Sequence, residues 1–236
     1  MGILDKATNA SDYNAEYVKM FVYGPPGTGK TYLAKTASDA GQSTLLLDAE
    51  SGCMTIRDSS VRILSVSIGD MREIYSELAQ GSHGYQTLVL DSLTELQKKK
   101  VDDVEQKGRK GMTLQKWGEV ITWTRKLVRS LRDLPMNVIV LCLSKEQEED
   151  DGDQKRLRIR PDVHGSTLPL ELAGFFDVVG YAHTRPQKEG IRHAIAFKSP
   201  GGRIITKDRS GLLEAIMPND FGHIYNTIME RTDDAS

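Results

Sequence analysis

The sequence predicts an α/β fold in which helices flank a central, mainly parallel sheet. Short apolar runs alternate with helical patterns along the 236 residues. Two of these runs, TLLLD and TLVLD, are almost entirely apolar and end in a carboxylate, as is typical of strands buried on both faces. The content of 39% hydrophobic and 27% charged residues is that of an ordinary globular domain. We therefore expect one domain over 1–236, with an N-terminal extension at 1–16 and a frayed tail at 232–236.

The first half of the chain alternates between predicted strands and predicted helices. The strands are apolar runs of strand length, at 18–23, 44–48, 61–65, 87–91 and 137–143. The helices carry apolar residues at helical spacing, at 30–40, 71–80, 93–106 and 114–134. This alternation indicates a sheet with helices on its faces.

The second half of the chain shows a less regular pattern. An acidic run at 146–153 and a basic run at 155–160, with Gly152 between them, predict a polar hairpin or a mobile loop. The predicted elements that follow are a short helix at 167–173, strands at 175–182, 191–198 and 203–207, and a closing helix at 220–231. We expect antiparallel pairing among these later strands.

The charge balance excludes a chain that is basic throughout. The formal net charge is −2, so any contact with nucleic acid must come from local patches. Cys53 and Cys142 lie in apolar settings without metal-ligand spacing, which predicts a reducing, cytoplasmic compartment. No stretch reaches the roughly 20 apolar residues of a membrane span, and the N-terminus has no long apolar run. We therefore predict neither a signal peptide nor a membrane partner.

Residues 24–31 read GPPGTGKT, which satisfies the phosphate-loop pattern G-x-x-x-x-G-K-[ST]. A predicted strand precedes the motif and a predicted helix follows it. In this arrangement backbone N–H groups surround phosphate oxygens, and the N-terminus of the helix faces the same anion. Lys30 is predicted to reach the β- and γ-phosphates of ATP, and the Thr31 hydroxyl to bind Mg²⁺. The predicted ATP-binding residues are Gly24, Pro25, Pro26, Gly27, Thr28, Gly29, Lys30 and Thr31.

Two carboxylates that follow apolar strands complete the predicted site. Asp91 ends the strand TLVLD, where a carboxylate can hold Mg²⁺ and can also cap the next helix. Many phosphate-loop ATPases carry Glu directly after this Asp, but here the position is Ser92. Glu50, at the end of LLLDAE, is therefore the predicted base that orients and deprotonates the attacking water. The alternative for Glu50 is a surface acid in a loop.

These features give the sequence a resemblance to the RecA family of recombination ATPases. DAE at 48–50 resembles the strand-end glutamate motif of that family, and TLVLDS at 87–92 resembles its magnesium-site strand. In IITKDRSG, Lys207 and Arg209 resemble the K-x-R pair that RecA-like and replicative-helicase subunits insert into a neighbouring ATP site. The compact size is most similar to the phage-encoded RecA-like core ATPases of single-strand annealing and recombination, an AAA-type phage nucleotide-binding protein family.

The resemblance implies an assembly as well as an activity. It implies a homo-oligomeric ring or filament with ATP bound between subunits, in which Lys207 and Arg209 act as catalytic cations for the neighbour. An arginine finger of this kind is worth ~10³–10⁵ in rate where it has been measured. The resemblance also implies DNA-stimulated ATP hydrolysis on single-stranded DNA, alongside a single-stranded-DNA-binding protein, in the cytoplasm of a phage-infected bacterium.

Two loops are candidates for the DNA contact, because basic residues on loops can follow phosphates without reading sequence. The acidic run at 148–151 opposes such a contact, and solvated surface charge is the alternative. Arg57, after the Glu50 loop, is a candidate contact for the adenine ring. The predicted DNA-binding residues are Lys107, Arg109 and Lys110 in the first loop and Lys155, Arg156, Arg158 and Arg160 in the second.

Other phosphate-loop classes stay open from the sequence alone. GPPGTGKT is spelled as in the AAA+ class, which favours a helicase loader or a remodelling ATPase. Ser144 ends the fourth core strand, where RecA-like relatives usually place Gln or His to sense the γ-phosphate, so this candidate sensor departs from the pattern. A small-molecule kinase and a nucleotide-gated switch with little turnover are the remaining alternatives.

Overall fold

The structure is a computed structural model that describes residue 2 and residues 16–107, 111–151, 154–188 and 190–233. In these residues the strands are β1 (Lys19–Gly24), β2 (Thr44–Asp48), β3 (Arg62–Ser65), β4 (Thr87–Asp91), β5 (Asn137–Asp151), β6 (Gln154–Pro161), β7 (Val178–Gln187), β8 (Gly190–Ala196), β9 (Lys207–Asp208) and β10 (Ile216–Pro218). The α-helices are α1 (Tyr32–Asp39), α2 (Met71–Ala79), α3 (Leu93–Gln106), α4 (Leu114–Arg132), α5 (Leu168–Phe175) and α6 (Phe221–Asp233).

The strands form a sheet in the order β10-β8-β7-β1-β5-β4-β2-β3. All pairs from β3 to β7 along this order are parallel, whereas β7, β8 and β10 pair antiparallel. The predicted α/β fold class, a mainly parallel sheet flanked by helices with antiparallel strands toward the C-terminus, is confirmed. Because β1, β5, β4 and β2 run parallel, their carboxyl ends lie at the same edge of the sheet, where ligands of open α/β sheets bind.

Each face of the sheet is covered by its own set of helices. In β1 successive side chains alternate between the faces, as the period of a strand requires. Phe21 and Tyr23 pack in the cluster that contains residues of α2, α3, α4 and α5, whereas Met20 and Val22 pack in the cluster that contains residues of α1 and α6. All four side chains are fully buried. In the described part of the chain, no helix is long and apolar enough to cross a membrane.

The later elements differ most from the sequence prediction. The predicted strand at 203–207 is wrong over most of its length, because Ile204 forms only an isolated bridge to Ile159 and the strand β9 begins at Lys207. The strand β10 was not predicted, since three residues carry too little periodicity. At 146–160 the hairpin alternative is confirmed, because β5 and β6 pair antiparallel from Ser144 to Asp151. Gly152 lies outside the described residues.

The close contact between β7 and β8 gives a test of the packing. A Cβ atom added at Gly180 would lie 2.4 Å from Ile195 Cγ2 and 2.9 Å from Phe197 Cε1, and both of these side chains are buried. Gly180→Ala should therefore lower the free energy of unfolding by about 1–3 kcal/mol, measured by urea denaturation. The matched control is Gly174→Ala in α5, where an added Cβ meets nothing within 4 Å. Equal stability of the two variants would contradict the packing at Gly180.

Candidate functional site

The loop between β1 and α1 has the backbone conformation that the phosphate-loop motif predicts. Gly27 and Gly29 have φ angles of 75° and 81°, in the region that side chains with a Cβ disfavour. Lys30 is buried and its Nζ donates hydrogen bonds to the carbonyls of Gly24 and Pro25, at 2.9 Å and 2.8 Å. Burial lowers the pKa of Lys30, and the negative charge of Asp91 partly opposes this shift. The loop therefore already holds its lysine toward the place that a phosphate would take.

Thr31 and Asp91 meet at the carboxyl edge of the sheet. Thr31 Oγ1 donates a hydrogen bond to Asp91 Oδ2 at 2.5 Å, and Asp91 is only 7% exposed. Burial raises the pKa of Asp91 to about 6, although the hydrogen bond from Thr31 opposes the shift. A hydroxyl and a carboxylate oxygen are donors that Mg²⁺ accepts, especially when substrate phosphates complete its shell. The residues present therefore fit a magnesium ion at the phosphate loop.

Glu50 lies across the same edge and is held by Ser92. Ser92 Oγ donates a short hydrogen bond to Glu50 Oε1 and accepts one from the N–H of Glu95, at 3.4 Å. Ser92 is thus the N-cap of α3, the capping role that sequence reasoning considered for Asp91. Asp48 Oδ1 accepts hydrogen bonds from the N–H groups of Glu50 and Ser51, at 3.0 Å and 2.7 Å. The turn after β2 therefore fixes where the Glu50 carboxylate can lie.

A cleft of about 1150 Å³ joins these groups and extends beyond them. Its middle is the phosphate loop, and one side carries Glu50, Asp91 and Leu143. The other side is built by β8, β10 and the start of α6, and its polar residues are Arg192, His193, Asn219, Asp220 and His223. Sequence reasoning missed this side, because its residues follow no motif and are brought to the loop only by antiparallel pairing.

The profile of the family AAA_24, described as an AAA domain, matches residues 16–210. The chain belongs to this AAA domain family. It is a P-loop ATPase-type domain, in agreement with the geometry of residues 24–31. No curated protein matches the chain.

Among solved structures, a KaiC-like protein from the hyperthermophilic archaeon Pyrococcus horikoshii OT3 is 14% identical, with a TM-score of 0.43, over 76% of this chain and 77% of that chain. The flagellar accessory protein FlaH from Methanocaldococcus jannaschii is 7% identical, with a TM-score of 0.46, over 87% of this chain and 89% of that chain.

In this AAA domain the two predicted trans-acting cations lie away from their own phosphate loop. Lys207 pairs with Val179 near the start of β7, at the sheet edge opposite the loop. Its Nζ donates to the carbonyls of Ala173, Gly174 and Phe176 at the end of α5, at 3.4, 3.2 and 2.6 Å. Arg209 pairs with Asp177 at 2.6 Å. Neither cation is brought to the cleft within one copy of the domain.

The predicted DNA-binding residues that the structure describes make contacts within the chain. Lys107 is exposed at the end of α3 and pairs with Asp103 at 2.7 Å, whereas Arg109 and Lys110 lie outside the described residues. In the β5–β6 hairpin, Arg160 makes a two-bond contact with Glu149. Lys155 of the same strand pairs with Glu148, and Arg158 donates to the carbonyls of Gly201 and Gly202. Arg156 is exposed.

Two further predicted contacts are not brought into the cleft. Ser144 is partly buried at the base of the hairpin, where it pairs with Pro161, and its neighbour Leu143 lines the cleft instead. Arg57 is exposed and follows the short 3₁₀ helix Cys53–Ile56. The cleft includes Thr55 but not Arg57 on this side.

The burial of Asp91 predicts that this carboxylate makes the free energy of unfolding of the AAA domain depend on pH. The folded pKa of about 6 exceeds the ordinary value of 3.8, so Asp91 stabilises the fold below about pH 4 and this contribution is lost as pH rises through 6. Asp91→Asn removes this pH dependence. We expect the free energy of unfolding of Asp91→Asn minus that of wild type to increase by about 1 kcal/mol between about pH 5 and about pH 8. Urea unfolding in the presence of EDTA measures this difference.

The control for this comparison is Asp102→Asn, at an exposed position of α3, which should follow the wild-type pH dependence. Parallel pH curves for wild type and Asp91→Asn would contradict the burial of the charge.

Proposed function

We propose that this AAA domain is a magnesium-dependent ATP hydrolase. The observation that carries this proposal is the 2.5 Å contact between Thr31 Oγ1 and Asp91 Oδ2, beside the buried Lys30. It joins the phosphate loop to a strand 60 residues further along the chain, as a shared metal site requires. The fourth group is Glu50, whose carboxylate belongs to the same cleft.

Each residue has one task in the proposed reaction. The N–H groups of the loop bind phosphate oxygens, and Lys30 leaves the carbonyls of Gly24 and Pro25 to donate to the β- and γ-phosphates. Thr31 and Asp91 hold Mg²⁺, which when bound neutralises negative charge on the β- and γ-phosphates. Glu50 accepts a proton from the attacking water, and Ser92 orients the carboxylate through its hydrogen bond to Oε1.

We further propose that hydrolysis is completed between copies of the chain. Lys207 and Arg209 lie at the sheet edge opposite their own cleft, so they can act as catalytic cations only on the nucleotide of a neighbour. A ring or a filament that places this edge against the next cleft supplies that arrangement. Positive charge from the neighbour would stabilise the charge on the transferring phosphoryl group.

The substrate partner that we propose is single-stranded DNA, in phage-type recombination or single-strand annealing. The support is the resemblance to RecA-like core ATPases, together with the exposed Lys107 and the basic strand β6. A single-stranded-DNA-binding protein and the cytoplasm of an infected bacterium belong to the same proposal. The second candidate is an AAA+-type helicase loader or remodelling ATPase, which the loop spelling GPPGTGKT favours.

The first test measures steady-state ATP hydrolysis with and without single-stranded DNA at low salt. We expect stimulation by DNA and a loss of about 10²-fold or more in Glu50→Gln, since positioned bases contribute that much, with ATP binding retained. Glu73→Gln, at an exposed position of α2, is the matched control. Hydrolysis that survives in Glu50→Gln excludes Glu50 as the base. Hydrolysis indifferent to DNA removes the recombination hypothesis and favours the kinase or switch.

The second test mixes two inactive variants. Lys30→Ala removes the phosphate-loop lysine, and the double variant Lys207→Ala, Arg209→Ala removes the trans-acting cations. Neither should hydrolyse ATP alone, but mixed oligomers contain interfaces with both intact partners and should regain a measurable fraction of wild-type activity. Sedimentation with ATP reports assembly, and Lys126→Ala in α4 controls for the loss of an exposed lysine. No recovery in well-assembled mixtures would exclude catalysis across the interface.

A further inference from the structure

The α6 side of the cleft is defined as Arg192, His193, Asn219, Asp220 and His223, and it lies on the other side of β1 from β4 and β2, which carry Asp91 and lead to Glu50. Because Glu50 and Asp91 lie on the opposite side of the loop, the γ-phosphate of a bound nucleotide must point toward them. In a nucleoside triphosphate the nucleoside and the γ-phosphate are attached at opposite ends of the phosphate chain. The nucleoside must therefore leave the loop toward the α6 side, where the cleft continues.

Asn219 is the residue of this side that is poised for a ligand. It is only 6% exposed, follows β10, and donates from Nδ2 to the carbonyl of Gly29 at 2.7 Å. This bond assigns the orientation of the amide, because a flipped amide would place Asn219 Oδ1 against the carbonyl oxygen of Gly29, and both atoms are acceptors. Oδ1 is buried and has no hydrogen-bond partner among the described residues. Buried amide oxygens in native proteins almost always have a partner, so this atom marks a place for a missing donor.

The missing donor identifies the end of the nucleotide that binds here. The unprotonated oxygens of a triphosphate accept hydrogen bonds and do not donate them, so they cannot satisfy an amide oxygen. Ribose hydroxyls and the exocyclic amine of adenine are O–H and N–H donors. Phosphate binding by the loop N–H groups and nucleoside binding by Asn219 Oδ1 are thus chemically distinct.

The neighbours of Asn219 suit a base and a sugar. The N–H of Asn219 donates to the carbonyl of His193 at 3.3 Å, so β8 and β10 hold the two residues together beside the loop. The ring of His193 and the side chain of Arg192 are exposed to the cleft region. Both are flat groups that stack on aromatic rings.

From these observations we infer that the α6 side of the cleft is the nucleoside subsite and that Asn219 Oδ1 accepts a hydrogen bond from a nucleoside donor. The inference rests on the proposed ATP-binding function and names the residues that select its substrate. It places the base away from Arg57, which follows the 3₁₀ helix Cys53–Ile56 and does not line the cleft.

The test measures binding of Mg²⁺-bound ligands to the full chain by calorimetry, with Asn219→Leu as the variant and Arg57→Ala as the control. The ligands are ATP, inorganic triphosphate, 2′-deoxyATP, 3′-deoxyATP and the triphosphate of purine riboside, which lacks the exocyclic amine. We expect Asn219→Leu to weaken ATP about tenfold and to leave inorganic triphosphate unchanged, since only ATP carries the donor. Arg57→Ala should bind every ligand as wild type does.

The analogues identify the donor. In wild type, the analogue that lacks the donor should bind about tenfold more weakly than ATP, and in Asn219→Leu that difference should disappear. Weaker binding of a deoxy analogue identifies a ribose hydroxyl as the donor to Asn219 Oδ1. Weaker binding of purine riboside triphosphate identifies the exocyclic amine as the donor. Equal weakening of ATP and inorganic triphosphate by Asn219→Leu would overturn the inference, because Asn219 would then act only through Gly29. Wild type that binds neither ATP nor inorganic triphosphate would instead overturn the proposed function.

Discussion

The contact between Thr31 and Asp91 is the interaction on which the rest of the site depends. It requires a carboxylate to be buried at the end of β4, and burial of a charge is unfavourable, as the raised pKa of about 6 shows. The fold meets this cost with the residues before Asp91, since Leu88, Val89 and Leu90 are fully buried between neighbouring strands. The parallel register then fixes the carboxylate, and every other group of the site is placed relative to it.

Three polar groups around the cleft are held in different ways. Lys30 and Glu50 are paired within the chain, with loop carbonyls and with Ser92, so each must change or share its partner when a nucleotide binds. Asn219 Oδ1 has no such partner in the described residues and gains one without losing another. The phosphate side of the cleft is therefore held by exchangeable bonds, whereas the α6 side has a vacant acceptor. The proposed hydrogen bond from the nucleoside to Asn219 Oδ1 therefore replaces no hydrogen bond within the described residues.

The sequence predicts the core of the fold because buried parallel strands are continuous apolar runs, and β2 and β4 begin and end where predicted. It predicts Lys30, Thr31, Glu50 and Asp91 because each belongs to a local motif at a strand end. It does not predict the contact of Ser92 with Glu50 or the position of Asn219, since both depend on residues distant in sequence. The false strand at 203–207 has the same origin: its apolar residues pack at 204 and 205 without a continuous partner strand.

In the β5–β6 hairpin, strand pairing brings the acidic run and the basic run of the sequence into contact. In sequence the acidic and basic runs are separate patches, but antiparallel register places Glu149 opposite Arg156 and beside Arg160. Toward the tip, the pair Lys155–Glu148 is 71% and 66% exposed, and such pairs contribute about 0–1 kcal/mol, so a phosphate can replace the carboxylate. Arg160 is 12% exposed and bound by two hydrogen bonds to Glu149, so its exchange would leave a partly buried carboxylate without its partner. The hairpin therefore carries one readily exchangeable cation, Lys155, and one strongly held cation, Arg160.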